Sequence, residues 1–239
     1  MTQRLSNRVA LVTGASRGIG RSVARALARK GAHIIAVART VGALEALDDE
    51  IKRDGGAATL VPLDLRDGPA MPRLAAAVAE RWGKLDILVG NAGVLGKLTP
   101  VINIEPKLWI ETLEVNLNAN LRLIQAFDVL LKRAEAGRAV FITSGAATNN
   151  RAYWGPYATT KAALNALVKT YAAECASTPV HVNLFNPGPT RTNMRADAFP
   201  GENPETLPTP DAVATQIVEL VLPTETRNGE IVAFRNDVA

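Results

Sequence analysis

The sequence has few of the residues that metal and thiol sites require. Cys175 is the single cysteine among 239 residues, so an intrachain disulfide is excluded. Its neighbours are typical of a helix, and a small buried residue is a better interpretation of it than a nucleophile. His33 and His181 are the two histidines, and neither has a cysteine beside it. Because zinc sites usually combine closely spaced His and Cys ligands, no metal centre is predicted.

Long hydrophobic runs are also absent. The apolar runs, such as residues 33–38 and 139–142, are short, whereas a membrane-spanning helix needs about 20 apolar residues. The first eight residues lead into a predicted strand and lack the apolar core of a signal peptide. We therefore expect a cytoplasmic protein with no membrane partner.

Basic residues are not collected into a block. The net charge is +4, but Lys and Arg are scattered singly along the chain. Nucleic-acid binding usually needs a continuous basic face, so no nucleic-acid partner is predicted. An anionic cofactor explains local positive charge more simply.

The chain contains a regular alternation of short apolar runs and longer amphipathic ones. This pattern predicts strands at residues 9–13, 32–38, 59–63, 87–91, 139–143, 181–186 and 230–234. Helices are predicted between them, including residues 20–30, 41–54, 106–134, 157–176 and 210–222. Such alternation is typical of α/β folds with a parallel sheet covered on both faces. We predict one Rossmann-type doubly wound domain over residues 1–239, with a cofactor half to about residue 135 and a catalytic and substrate half after it.

A glycine-rich turn joins the first predicted strand to the first helix. Its spacing is G-x3-G-x-G, and glycines there let the backbone turn sharply and approach a pyrophosphate at the helix N-terminus. The predicted cofactor-binding residues of this turn are Gly14, Ser16, Arg17, Gly18, Ile19 and Gly20. A glycine-rich turn is sometimes only a tight connection, but its place at the first strand-to-helix junction favours a nucleotide site.

The end of the second strand favours NADP(H) over NAD(H). An NAD site usually has an acidic residue there to hold the ribose 2′-hydroxyl, whereas this chain has Arg39. Arg17 adds a second cation within the glycine turn. Two guanidinium groups would hold a 2′-phosphate through charge-assisted hydrogen bonds of about 1.5–3 kcal/mol each. The alternative is that both are ordinary surface arginines.

A tyrosine and a lysine share one face of a predicted helix. Tyr157 and Lys161 are four residues apart, about one helical turn. A lysine cation near a phenol favours the phenolate and lowers the phenol pKa, which suits acid–base chemistry. Ser144 follows a predicted strand thirteen residues upstream of Tyr157, at the edge where parallel sheets bind ligands. The alternative for Ser144 is a turn or helix cap.

With these motifs in order, the sequence resembles the classical short-chain dehydrogenase/reductase family over nearly its whole length. Residues 91–93 match the family motif Asn-Ala-Gly, residues 187–192 match the loop that holds the nicotinamide, and Asn116 matches the catalytic asparagine. The resemblance implies further cofactor contacts at Asp64, Leu65, Asn91, Ala92, Gly93, Tyr157, Lys161, Pro187, Gly188, Thr190 and Thr192. Residues 91–96, 154–157 and 186–199 are also similar to a bacterial branch, the YciK-like oxidoreductases.

The resemblance implies an NADP(H)-dependent oxidoreductase that interconverts a carbonyl and an alcohol. Tyr157 would exchange the substrate proton, Ser144 would orient the carbonyl oxygen, and Lys161 would lower the tyrosine pKa and bind the nicotinamide ribose. Asn116 would position a proton-relay water. Asn91 also has a structural interpretation, that of holding the central strands together. The alternative function is a catalytically silent NADP(H)-binding sensor, although such proteins usually lose the tyrosine or the lysine.

The substrate side is the least defined by sequence. We expect residues 194–206 to form a stiff, partial lid over an open pocket for a small-molecule substrate. Residues 149–151, Tyr153 and Trp154 are candidates for the opposite wall, although Trp154 is equally compatible with core or interface packing.

Arg191 and Arg195 are either attractants for an acidic substrate or solvated surface residues. The helices predicted at residues 106–134 and 157–176 resemble those at family subunit contacts. We expect a homo-oligomer, a tetramer before a dimer.

Overall fold

Seven parallel strands form one sheet within residues 4–236, the part of the chain that the computed structural model describes. The strands are β1 (Val9–Thr13), β2 (His33–Ala38), β3 (Ala57–Pro62), β4 (Ile87–Gly90), β5 (Arg138–Ile142), β6 (His181–Asn186) and β7 (Ile231–Ala233). Their order across the sheet is β3-β2-β1-β4-β5-β6-β7. The predicted Rossmann-type doubly wound fold is confirmed. The predicted domain begins at residue 1 and ends at residue 239, and both of these bounds lie outside the described residues. Residues 1–3 of the N-terminal segment also lie outside them.

The helices alternate with the strands along the chain. Within the described residues they are α1 (Gly18–Arg29), α2 (Val41–Arg53), α3 (Ala70–Trp82), α4 (Pro106–Leu113), α5 (Ala119–Lys132), α6 (Ala146–Asn149), α7 (Gly155–Glu174), α8 (Asn193–Ala198) and α9 (Pro210–Glu219). In residues 4–236, no helix is long and apolar enough to cross a membrane.

The central strands are buried on both faces, which explains why they are apolar at every position rather than at alternate ones. All residues of β1 and β5 are buried. On one face, Leu27 of α1 and Ile217 of α9 belong to a core cluster with the sheet. On the other face, Phe127 of α5 and Val168 of α7 belong to a second cluster. The sheet is therefore covered by a helical layer on each side.

Arg138, the first residue of β5, is 4% exposed and donates hydrogen bonds only to backbone carbonyls. Its guanidinium reaches the carbonyl oxygens of Gly137 (2.8 Å), Pro179 (3.2 Å), Leu222 (3.2 Å) and Pro223 (2.7 Å). A buried cation needs such partners to offset its desolvation. These bonds join the segment after α9 to the first residue of β5. The last residue of β5, Ile142, lies two residues before Ser144.

The helix predicted at residues 106–134 contains an interruption. Between α4 and α5 the chain forms a π-helical turn at Glu114–Asn118. π-turns are rare, and they occur often at functional sites because they change the direction of the side chains they contain. Asn116 lies at the centre of this one and is fully buried.

Candidate active site

Four of the predicted site segments lie beyond the carboxyl ends of four neighbouring strands. The glycine turn follows β1, the Asn-Ala-Gly motif follows β4, and Ser144 lies two residues after β5. The loop at residues 187–192, here called the nicotinamide-type loop because it matches the family loop that holds the nicotinamide, begins after β6. The chain leaves β1 toward β2 on one side and returns to β4 on the other. This is the topological switch point, where open α/β sheets bind their ligands.

The glycine turn approaches the Asn-Ala-Gly motif too closely for side chains. Gly14 and Gly18 have left-handed φ values of +66° and +55°. A Cβ atom on Gly20 would lie 2.3 Å from Asn91 Nδ2 and 2.4 Å from the Gly14 carbonyl oxygen. Because real Cβ contacts are much longer, glycine is required at position 20 by close approach.

Asn91 and Thr13 connect the two central strands. Asn91 Nδ2 donates to the carbonyl oxygen of Thr13 (2.8 Å), and the Thr13 hydroxyl accepts from the backbone N–H groups of Asn91 (3.0 Å) and Ala92 (3.1 Å). The Thr13 hydroxyl also bonds to the carbonyl oxygen of Val89 (3.3 Å). The structural interpretation of Asn91 is therefore supported. Thr13 was missed by sequence reasoning, although a polar residue closing an apolar strand was a possible signal.

The N-terminus of α1 is open to an anion. Its N-cap residue, Arg17, makes no side-chain cap bond, and the first turn contains no acidic residue. A Cβ atom on Gly18 would meet Thr192 Cγ2 at 3.4 Å, so the glycine turn faces the loop after β6. Free backbone N–H groups and a positive helix end fit the pyrophosphate of a dinucleotide.

The two arginines predicted to select NADP(H) are available for a ligand. Arg17 and Arg39 are exposed, and neither forms an ion pair within residues 4–236. Arg39 is close enough to Asp64 to contribute to lowering the pKa of that carboxyl, although hydrogen bonding from Arg66 is the larger cause. Arg66 Nη2 lies 2.6 Å from Asp64 Oδ2. Arg66 was not among the residues predicted from sequence.

The segment after β3 is fixed to the π-turn by a second arginine. Arg122 of α5 donates to the Leu65 carbonyl oxygen at 3.2 Å. The same guanidinium forms an ion pair with Glu114, the first residue of the π-turn. Glu114 is held ionised, since hydrogen bonding from Arg122 and then from Asn118 lowers its pKa. Arg122 thus joins Leu65, one of the predicted cofactor contacts, to the element that contains Asn116.

Ser144, Tyr157 and Lys161 are brought together between β5 and α7. The Ser144 side chain lies close enough to the Tyr157 hydroxyl to lower the pKa of that phenol, and Tyr157 and Lys161 are 8% and 3% exposed. Lys161 Nζ lies 5.7 Å from the centre of the Tyr157 ring and donates to the Ile142 carbonyl oxygen at 2.7 Å. Ser144 Oγ also accepts from the Ala146 N–H at 3.2 Å, so the capping interpretation holds as well.

The pKa values of this cluster reflect burial. Burial lowers the pKa of Lys161 to about 8. Burial also raises the pKa of Tyr157, and the hydrogen bond from Ser144 opposes this only in part. The expected lowering of the tyrosine pKa by Lys161 is therefore not the dominant effect in the protein without ligands, because desolvation of the phenolate outweighs it.

Asn116 is adjacent to the cluster, and both N–H groups of its side-chain amide are hydrogen-bonded within the protein. Its Oδ1 accepts from the Val94 N–H (2.8 Å), and its Nδ2 donates to the Val94 carbonyl oxygen (2.9 Å) and to Thr160 Oγ1 (3.1 Å). Both amide N–H groups have partners, so the side chain has no donor left for a water. It joins the segment after β4 to α7 beside Tyr157 and Lys161.

The loop after β6 is held by its own side chains. The Gly188 N–H donates to Asn186 Oδ1 (3.1 Å), and Thr190 Oγ1 bonds to the Pro187 carbonyl oxygen (3.2 Å). Thr192 caps α8 by accepting from the Arg195 N–H at 3.3 Å. These bonds fix the backbone of residues 187–192 opposite the glycine turn.

Comparison with known proteins identifies the family. The model of the short chain dehydrogenase family matches residues 8–203. The oxidoreductase YciK of Escherichia coli (strain K12) is 38% identical over 209 residues, which cover 86% of this chain and 82% of YciK. A structure of a short chain dehydrogenase from Shigella flexneri 2a strain 301, complexed with NADP, is 34% identical with a TM-score of 0.93, covering 98% of this chain and 99% of its own. A structure of a short chain dehydrogenase from Escherichia coli CFT073, complexed with NADPH, is 35% identical with a TM-score of 0.90 over 98% of this chain and 99% of its own.

The chain belongs to the short chain dehydrogenase family. The resemblance drawn from the sequence motifs is thereby confirmed, including the likeness to YciK.

A cavity of about 340 Å³ adjoins the nicotinamide-type loop of this short chain dehydrogenase. Its lining residues come from the end of that loop and the segment after it, and they include Arg191, Thr192, Arg195, Phe199 and Glu202. Arg191 forms an ion pair with Glu205 (3.1 Å), and Arg195 pairs with Glu202 through two bonds. The two arginines considered for an acidic substrate are therefore already neutralised by carboxylates.

A series of aromatic ring contacts connects Phe199, in the segment that lines this cavity of the dehydrogenase, to Tyr157. Trp154 contacts Tyr157 edge-on at 5.8 Å between ring centres, and it contacts Phe199 with tilted rings, also at 5.8 Å. Trp154 therefore contacts both the candidate tyrosine and Phe199, a residue that lines the cavity. In residues 4–236, no group of three or more His, Cys, Asp or Glu side chains is arranged to hold a metal ion.

Proposed function

We propose that this protein is an NADP(H)-dependent oxidoreductase that interconverts a carbonyl and a primary or secondary alcohol. The observation that carries the proposal is the buried cluster of Ser144, Tyr157 and Lys161 at the carboxyl end of the sheet, opposite the open glycine turn. Family membership supports oxidoreduction. The two relatives solved with NADP and NADPH support the choice of cofactor.

The proton chemistry follows from the state of Tyr157. Burial keeps its phenol protonated at neutral pH, so the free site is prepared to donate a proton to a carbonyl oxygen. Ser144, which lies beside that hydroxyl, orients the carbonyl oxygen by a second hydrogen bond. When bound, the nicotinamide supplies or accepts the hydride at the carbonyl carbon. In the reverse direction Tyr157 takes the proton of the alcohol.

Lys161 contributes to the proton transfer through its hydrogen bonds and its charge. Its ammonium is anchored to the Ile142 carbonyl oxygen (2.7 Å), which leaves two N–H donors for the nicotinamide ribose. A charged Lys161 also stabilises the phenolate that forms as Tyr157 loses its proton. Asn116 would position a proton-relay water, and its own side chain is held in place by Val94 and Thr160.

The cofactor residues are proposed from their placement. Gly14, Ser16, Gly18, Ile19 and Gly20 would surround the pyrophosphate at the N-terminus of α1, with Arg17 and Arg39 on the 2′-phosphate. Asp64 would contact the adenine, Leu65 would be a further cofactor contact beside it, and residues 91–93 and 187–192 would enclose the nicotinamide half. The fit depends on the glycine turn and the uncapped helix end described above.

We also propose a homo-oligomer that acts on a small-molecule substrate. Ile110 of α4 and Val129 of α5 are 58% and 57% exposed, and Leu121 of α5 is 39% exposed. Apolar side chains on these helices support a subunit contact, which sedimentation at micromolar concentration would test. The tetramer, the cytoplasmic location, the single domain and the lid at residues 194–206 stay predictions.

The experiment is NADPH oxidation at neutral pH with a panel of aldehydes and ketones. We expect turnover with NADPH, weaker turnover with NADH, and near-complete loss in the Tyr157→Phe variant. Tyr153→Phe is the matched control, because Tyr153 is 58% exposed and lies outside the cluster. Equal activity in the two variants would contradict the proposal. Tight NADPH binding without turnover of any carbonyl would favour the sensor alternative.

A further inference from the structure

Two guanidinium groups lie over the ring of Phe199 at the edge of the candidate site. The Arg195 Cζ atom is 3.7 Å from the ring centre, and the Arg151 Cζ atom is 4.9 Å from it. Such contacts hold a cation in place through the ring quadrupole without neutralising its charge. The two arginines differ in what else they contact.

Arg195 is neutralised by Glu202, as Arg191 is by Glu205. Arg151 is exposed and forms no ion pair or side-chain hydrogen bond within the described residues. Its only described side-chain contact is the stack on Phe199. An arginine over an aromatic face keeps the edge of its guanidinium, with its N–H donors, free for a carboxylate or a phosphate.

The backbone around Arg151 is held in an uncommon conformation. Asn150 and Tyr153 have φ values of +45° and +74°. They are two of three non-glycine residues with positive φ in residues 4–236. A left-handed tyrosine is costly, and such conformations are concentrated at functional sites. The Thr99 N–H, bonded to the Tyr153 carbonyl oxygen at 3.0 Å, helps to fix this turn.

The turn also has a defined relation to the reacting group. Arg151 contacts Phe199, Phe199 contacts Trp154, and Trp154 contacts Tyr157. The guanidinium is therefore separated from the candidate proton donor by two aromatic rings. A substrate whose carbonyl oxygen binds Tyr157 reaches Arg151 only if its second functional group lies several bonds away.

We propose that Arg151 is a specificity-determining residue that selects carbonyl substrates with an anionic group, a carboxylate or a phosphate, remote from the carbonyl. The inference rests on the proposed carbonyl–alcohol function, which it makes more specific. Recognition of the anionic group is assigned to Arg151 because, among Arg151, Arg191 and Arg195, it is the arginine without a carboxylate partner in the described residues.

The test compares acids with their neutral esters. NADPH-dependent reduction is measured for para-formylbenzoate and the longer formylbiphenyl carboxylate, each against its methyl ester. The variants are Arg151→Gln, which removes the charge, and Arg151→Lys, which keeps the charge and loses the flat stack. Arg133→Gln is the matched control, since Arg133 is an exposed arginine at the end of α5.

We expect the wild-type protein to prefer at least one acid over its ester in kcat/KM. Arg151→Gln should lower this preference by about 10- to 100-fold, the range of one charge-assisted hydrogen bond. The ester rates and the KM for NADPH should stay unchanged, and Arg151→Lys should keep part of the preference. High salt should weaken the preference in the wild type, because the contact is exposed.

A wild type without preference, or an Arg151→Gln variant that keeps it, would overturn the inference. If no carbonyl is reduced at all, the proposed function fails first. Titration calorimetry of the same acids and esters into the NADP-saturated protein then decides the inference separately. Acid binding that depends on Arg151 and not on Arg133 would support an anion-selective rim, whereas equal binding of acid and ester would exclude it.

Discussion

Replacement of Gly20 by alanine is a sharp test of the site geometry, because two physical effects predict opposite signs. Gly20 lies within α1, and alanine in a helix interior is favoured over glycine by about 1 kcal/mol. The added Cβ atom, however, would lie 2.3 Å from Asn91 Nδ2 and 2.4 Å from the Gly14 carbonyl oxygen. Movement of the Asn91 amide away from the new Cβ atom would weaken its bonds to the carbonyl oxygens of Thr13 and Gly14.

The magnitudes decide in favour of destabilisation. Overpacking usually costs about 1–3 kcal/mol, and the loss of the Asn91 hydrogen bond costs about 1 kcal/mol more. After the helix preference is subtracted, we expect Gly20→Ala to lower the free energy of unfolding by about 1–3 kcal/mol. For a chain of this size that corresponds to a Tm lower by about 2–12 °C.

The matched control is Gly42→Ala in α2. A Cβ atom on Gly42 meets nothing within 4 Å, and its φ is not in the left-handed region. Helix preference then acts alone, so Gly42→Ala should raise the Tm slightly. Thermal unfolding gives the stability, and NADPH fluorescence titration should show affinity lost in Gly20→Ala alone. If the two variants behave alike in both assays, the close approach of the glycine turn to Asn91 does not constrain the site.

Two further predictions concern the cofactor. Arg122→Gln should raise the Kd for NADPH by about tenfold with little change in kcat, because it removes the bond to the Leu65 carbonyl oxygen and the ion pair with Glu114. The Kd is measured by titration and kcat by stopped-flow kinetics. A change in kcat without a change in Kd would refute the role of Arg122 in cofactor binding. NADPH affinity should fall as the pH rises through about 8, since Lys161 then loses its charge and one of the two N–H donors left for the ribose. Lys161→Met should abolish this pH dependence in titrations from neutral pH to about pH 10, and an unchanged profile would contradict it.

The parts of the site that sequence could predict are local in the chain. The glycine turn, the spacing of Tyr157 and Lys161, and the Asn-Ala-Gly motif each depend on a few neighbouring residues, and strand ends supply their position in space. The parallel sheet could be predicted for a similar reason, because strands buried on both faces are apolar at every position.

Long-range contacts were not predictable in this way. The bond from Arg122 to Leu65 spans 57 residues and depends on how α5 packs beside the sheet. The same is true of Phe199 against Trp154 and of Arg151 over Phe199. The direction of the tyrosine pKa was also missed, because the extent of burial belongs to the assembled site and not to the spacing of two residues.

The π-turn at Glu114–Asn118 has a consequence for how this chain tolerates insertions and deletions. Removal of one residue from an ordinary helix rotates everything beyond it by about 100°. Removal of one residue from a π-turn instead restores the regular helical repeat, so the residues on either side keep their faces. A single-codon deletion within this turn would therefore leave the helices able to pack while withdrawing Asn116 from Val94 and Thr160. Because of this extra residue, a deletion could remove the contacts of Asn116 while the chain still folds. Stability and the arrangement of the site can therefore be lost independently.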